Sequence, residues 1–127
     1  MHTFFLVGLG GCCGAVLRYS LGRWILEHTA QARLPLGTLA VNILGCLVIG
    51  LLAGLDQRFA CFATGLRVFL FTGLLGGFTT FSAFGLEAML LLERGDAVAA
   101  GLYVLGSVGC GLACTWLGFK AISLLPV

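Results

Sequence analysis

The groups able to handle an ion are concentrated in one stretch, Gly76-Gly77-Phe78-Thr79-Thr80-Phe81-Ser82-Ala83-Phe84-Gly85-Leu86-Glu87, inside an apolar run over about residues 65–92. A buried run is expected to be smooth and aliphatic, yet this one carries a glycine pair, two adjacent threonines, a serine and a carboxylate. Irregular polar backbone at membrane depth is tolerated only where it lines a cavity or is buried in protein. Each glycine costs a helix about 1 kcal/mol relative to alanine, and the threonine hydroxyls compete for backbone hydrogen bonds. A helix break near residues 76–80 would leave free carbonyls on one side and free N–H groups on the other. Free carbonyls of a broken helix coordinate small cations such as Na⁺. The other reading is an unbroken helix whose glycines pack against a neighbour.

Beyond the break, Phe81 and Phe84 are three apart and share a helix face, with Glu87 one turn further on. Phenylalanines at this spacing either fill a core or aim their partially positive ring edges at an anion. Glu87 either meets Arg18, marks a pore mouth or sits at the interface. Asn42, with Thr38 one turn before it, is the strongly polar residue of another apolar run. It either glues helices together or presents its two N–H donors to a passing anion. Tyr103 and Ser107 form an i, i+4 pair that lines a polar track or bonds back to its own helix. Arg18 interrupts the N-terminal apolar run, over about residues 4–26, near its end. It snorkels to the interface or lies in a wet vestibule that attracts anions.

The elements that must position these groups are membrane spans. Of 127 residues, 60% are hydrophobic and 9% charged, against about 25% charged in soluble domains. A bilayer core of roughly 30 Å needs about 20 apolar residues per helix. Spans over about residues 4–26, 35–55, 66–92 and 97–124 account for nearly the whole chain, giving an all-α fold in a single domain over 1–127. The first run lacks the positive n-region of a secretory signal and is expected to be a retained span. Gly10-x-x-x-Gly14, Gly50-x-x-x-Gly54 and Gly73-x-x-x-Gly77 are close-approach patterns. The five glycines of the fourth span, Gly101, Gly106, Gly109, Gly111 and Gly118, also predict close packing. Pro35 favours the start of the second helix.

The net charge of +2 is too small to suggest nucleic acid. Six cysteines show neither a Cys-x-x-Cys pair nor zinc spacing; inside spans they behave as small apolar residues. His2 and His28 lie outside the expected spans without a paired nucleophile, so no enzyme is expected. Arg58, Arg67 and Lys120 fall on one side of the membrane, and Arg23, Arg33 and Arg94 on the other. Orientation follows the Lys/Arg bias of the loops, and here there is almost none. Such a chain can insert both ways, and two opposed copies would form an inverted-repeat pair.

The string at residues 76–87 resembles the signature of the Fluc (CrcB) fluoride channels. Gly37-Thr-Leu-Ala-Val-Asn42-Ile-Leu-Gly45 is similar to that family's second-span motif, Gly14-Ala-Val-Leu-Arg18-Tyr19 to its first, and Leu92-Glu-Arg-Gly95 to its third loop. The resemblance implies an antiparallel, dual-topology homodimer in the inner membrane that lets toxic cytoplasmic fluoride out. It implies a structural Na⁺ held by the backbone carbonyls of Gly76 and Thr79. It implies a fluoride pathway through Asn42, Phe81, Phe84, Tyr103 and Ser107, to which the hydroxyl of Thr80 is added as a donor that would replace the ion's water. Some relatives carry a further serine where this chain has Gly111. The competing expectation is a small dual-topology, proton-coupled multidrug-type exporter, which needs a carboxylate deep in a span; Glu87 is the candidate.

Overall fold

A computed structural model describes residues 1–124; the last three residues of the expected domain, 125–127, lie outside the described residues. Four helices are long and apolar enough to cross a membrane: His2–His28, Leu36–Phe59, Thr64–Glu93 and Ala97–Ser123. They agree with the expected spans to within a few residues. The second helix runs further than expected, to Phe59, because the polar turn at its end is engaged rather than free. Arg58 donates to Ile122 O at 2.7 Å and Ser123 O at 3.0 Å, and Asp56 pairs with Arg67 at 3.0 Å. These bonds gather the end of the second span, the start of the third and the end of the fourth at one side. Thr38, Glu87 and Tyr103 meet near the other side. The spans therefore run up, down, up and down.

The glycine patterns set the packing. Gly10 and Gly14 of the first span lie against Gly73 and Gly77 of the third. A Cβ on Gly10 would stand 2.7 Å from Phe69 O, and one on Gly77 would stand 2.5 Å from Gly11 O. Gly50 and Gly54 seat the fourth span at Thr115 and Phe119, and Gly118 returns the contact at Leu47. Not all the fourth-span glycines act this way. Gly101, Gly106 and Gly109 face open space, so that helix is close-packed along only one side of its glycine set. Its other side carries exposed Leu102, Leu105, Leu112 and Trp116. Trp24 and Trp116 are exposed near opposite membrane faces, as in an interfacial aromatic belt.

Gly14 is the tightest of these contacts to test, since a Cβ there would stand 2.7 Å from Phe78 N and clash with Leu74 O. Gly14→Ala is expected to cost about 1–3 kcal/mol, the range for overpacking. Gly8→Ala, with nothing within 4 Å, is expected to be neutral. Thermal unfolding of both variants in detergent checks the contrast.

The third span is the irregular one. Val68–Leu75 winds as a π-helix, a rare form that recurs at functional sites. Ordinary helix resumes over Gly76–Phe78, stops, and restarts as Phe81–Glu93. A buried cluster of Phe84, Leu91, Ala99, Ala100 and Tyr103 fixes this second half-helix to the start of the fourth span.

Candidate functional site at the third-span break

The break falls at Thr79 and Thr80, whose φ and ψ of −88°, 156° and −147°, 118° are extended. It lies just past the glycine pair, which stays helical: Gly77 packs against Gly11 of the first span, whereas Gly76 is exposed and makes no contact there. Thr79 donates both its backbone N–H and its hydroxyl to Leu75 O, each at 3.0 Å. Its methyl group rests where Gly45 of the second span has no side chain. Thr80 opens the second half-helix as its N-cap, its Oγ1 accepting from Ala83 N at 3.2 Å.

Asn42 holds the break from the second span. Its Nδ2 donates to Thr80 O at 3.0 Å, and its Oδ1 accepts from Thr80 N at 2.8 Å. One amide thus satisfies both backbone groups of the residue where the helix is interrupted. As the N-cap, Thr80 has a backbone N–H outside the helical ladder, and leaving it unpaired costs about 1–3 kcal/mol. The side chain is a clamp on backbone as well as a potential donor, because its amide has a second N–H.

Arg18 and Glu87 do not pair with each other, contrary to one of the expectations for Glu87. Arg18 donates from Nε to Gly77 O at 3.1 Å. That carbonyl belongs to the last turn of the first half-helix, where the helix dipole favours a cation. Glu87 instead accepts from Thr38 Oγ1 at 2.7 Å and from Tyr103 OH at 2.6 Å, one bond per carboxylate oxygen. Two hydroxyls suffice because the carboxylate and its partners sit on three different spans aimed at one point. Both Arg18 and Glu87 line a cavity of about 510 Å³ that opens beside Thr38 and Thr80. Tyr103→Phe is expected to destabilise the fold by about 1.5–3 kcal/mol, the value of a hydrogen bond to a charged group. The unfolding midpoint of the purified variant measures it.

A second cavity, of about 360 Å³, brings together Asn42, Thr80, Phe81, Phe84 and Ser107, with Gly76 and Thr79 at its wall. Tyr103 is not among its lining residues; it is 1% exposed and committed to Glu87. Phe81 and Phe84 have ring centroids 5.5 Å apart, and Phe84 continues to Tyr103 at 5.3 Å. Their environments differ sharply: Phe84 is 9% exposed and Phe81 is 82% exposed. Ser107 Oγ is buried and, among the described residues, has no hydrogen-bond partner. Buried hydroxyls are ordinarily paired, so this one marks the wall as polar. Thr80 lines both cavities, which places the break where they adjoin. Cys46, one turn beyond Asn42, also lines the smaller cavity; the i, i+4 spacing was its only signal in the sequence.

Amide, hydroxyl and ring-edge donors converge on this wall without a fixed positive charge. Such a set can bind and pass an anion; it offers no nucleophile with a base. The molecule is a multi-pass membrane protein built around a broken span. The chain matches, over residues 5–119, the family model described as "CrcB-like protein, Camphor Resistance (CrcB)". It belongs to the CrcB family. Among its relatives, a protein of Methylobacillus flagellatus is 47% identical over 98% of this chain and 97% of its own. A Rhizobium etli relative is 51% identical over 98% and 99%, and one from Paracoccus denitrificans 50% identical over 92% and 91%. All three carry the name "Fluoride-specific ion channel FluC".

Proposed function

We propose that this chain is a fluoride-selective channel of the inner membrane that lets cytoplasmic fluoride leave down its electrochemical gradient. The observation that carries the proposal is the cavity at the break, where Asn42, Thr80, Phe81, Phe84 and Ser107 meet. The near-full-length relatives named as fluoride channels supply the ion. Fluoride is small and holds its water strongly, so a selective path must replace that water with donors. The second N–H of Asn42, the hydroxyls of Thr80 and Ser107, and the edges of the Phe81 and Phe84 rings are the replacements. Arg18 and Glu87 flank the approach to the break, and Tyr103 holds Glu87 in place there. Hydrogen fluoride enters neutral from acid surroundings and ionises inside; a membrane potential worth about 2.3 kcal/mol per charge per 100 mV then drives the anion out.

The working unit in this proposal is an antiparallel homodimer. Balanced loop charges support insertion in both orientations, and an opposed copy would cover Phe81, which is exposed on the single chain. A structural Na⁺ would be held by the carbonyls of Gly76 and Thr79, residues at the cavity wall beside the end of the first half-helix. Oxygen donors of this kind fit a hard cation, and carbonyls at a broken helix fit Na⁺. The ion would fix the relative placement of the two half-helices. Bi-ionic recording, with fluoride on one side of a planar bilayer and chloride on the other, tests the proposal. A reversal potential set by fluoride is expected; one set by chloride would overturn it.

A further inference from the structure

The polar face of the second span does not end at Asn42. Thr38, Asn42 and Cys46 follow at i, i+4 and i+8 and so share one face. Tyr103, Ser107 and Gly111 repeat that spacing on the fourth span, which packs against the second. The two columns make three rungs. Thr38 and Tyr103 meet through Glu87. Asn42 and Ser107 line the cavity at the break. At the third rung, Cys46 Sγ lies 3.3 Å from the position a Cβ on Gly111 would occupy. The thiol therefore fills the notch that the glycine leaves, and no ordinary side chain at 111 fits without moving it.

We infer that Cys46 is a pathway-lining residue, its thiol following the Asn42 amide one helical turn along the cavity wall. The inference rests on the channel proposed above and deepens it. It does not rest on the thiol alone: Cys46 shares its cavity with Asn42, Phe81 and the unpartnered Ser107. A thiol is a weak hydrogen-bond donor, so it continues the series of neutral donors where the fourth span supplies none. It also makes this cavity open to thiol-directed modification. Once the thiol loses its proton to water, its sulfur attacks the sulfenyl sulfur of methyl methanethiosulfonate. The reagent's S–S bond breaks, methanesulfinate leaves with the electron pair, and Cys46 keeps the methylthio group as a mixed disulfide. The added group stands in the path of the ion.

The test uses the full chain in liposomes, treated with methyl methanethiosulfonate, with each sample compared with its own untreated fluoride efflux. Wild type is expected to slow by about tenfold or more, a barrier change of roughly 1.4 kcal/mol. Cys46→Ser, which keeps a donor and removes the thiolate, is expected to be insensitive, although the other cysteines remain. Mass spectrometry locates the label, with exposed Cys61 as the control for reagent action. Cys46 labelled with unchanged efflux would overturn the inference. So would Cys46 unlabelled while Cys61 is labelled, or equal block of wild type and Cys46→Ser. No fluoride efflux from any untreated sample would instead refute the channel, and the inference with it.

Discussion

Phe81→Ile is expected to abolish fluoride efflux while leaving the fold of each chain intact. The separation follows from the placement of the ring. Phe81 is 82% exposed on the single chain and contributes little to its core, whereas Phe84, three residues on, is 9% exposed and packs on Tyr103. On the single chain a surface substitution of this kind changes stability by about 0.5 kcal/mol or less, so any larger loss falls on the contact between the two copies and not on the fold of each. What isoleucine lacks is the positive edge of an aromatic ring, and in the proposed pathway that edge replaces water around the ion. Fluoride efflux and thermal unfolding of the same preparation decide the matter. Normal efflux from Phe81→Ile would remove the ring from the pathway; a collapse of stability would make it structural. The exchange also separates a channel from a proton-coupled exporter, in which a ring-edge donor has no part.

Asn42→Ala is expected to do something different: to lower efflux and stability together. Removing the amide strips both partners from the Thr80 backbone, which Asn42 holds at 2.8 and 3.0 Å. The unpaired Thr80 N–H costs about 1–3 kcal/mol, and every 1.4 kcal/mol or so that falls on the conducting state is about tenfold in rate. A loss of roughly a hundredfold in efflux, with a clear drop in unfolding midpoint, is the expected outcome. Asn42→Asp discriminates further. It keeps the acceptor for Thr80 N and sets a carboxylate oxygen against Thr80 O. A purely ion-contacting asparagine would lose efflux in both variants without losing stability, and that pattern would contradict the clamp.

The comparison of these two residues shows what was legible in the sequence. Four spans followed from apolar length alone, and all four are present. The break was legible because glycines and threonines interrupt a run that lipid would keep smooth. It falls at Thr79 and Thr80, inside the expected window of residues 76–80; which residues of that window would stay helical was not legible, and Gly76 and Gly77 do, Gly77 against the first span. Glycine signals both a weak helix and a close approach, and only the neighbour reveals which. The same limit applies to the polar side chains. Periodicity placed Asn42 on a face with Thr38, yet the partner of that face, the Thr80 backbone, is 38 residues away. Arg18 and Glu87 were legible as charges out of place. Their separate partners, Gly77 O for one and the hydroxyls of Thr38 and Tyr103 for the other, depend on how four helices cross. The π-helical turn over Val68–Leu75 had no pattern of its own. The open glycines of the fourth span looked like the packed ones because composition does not distinguish the two sides of a helix.

Anion efflux from liposomes that contain only the purified protein, followed with fluoride and chloride electrodes side by side, decides whether the cavity at the break is a fluoride path. Fast fluoride loss with negligible chloride loss is the expected result. Folded, dimeric protein that releases no fluoride, or releases chloride equally fast, would contradict it and move attention to Glu87 and a proton-coupled substrate.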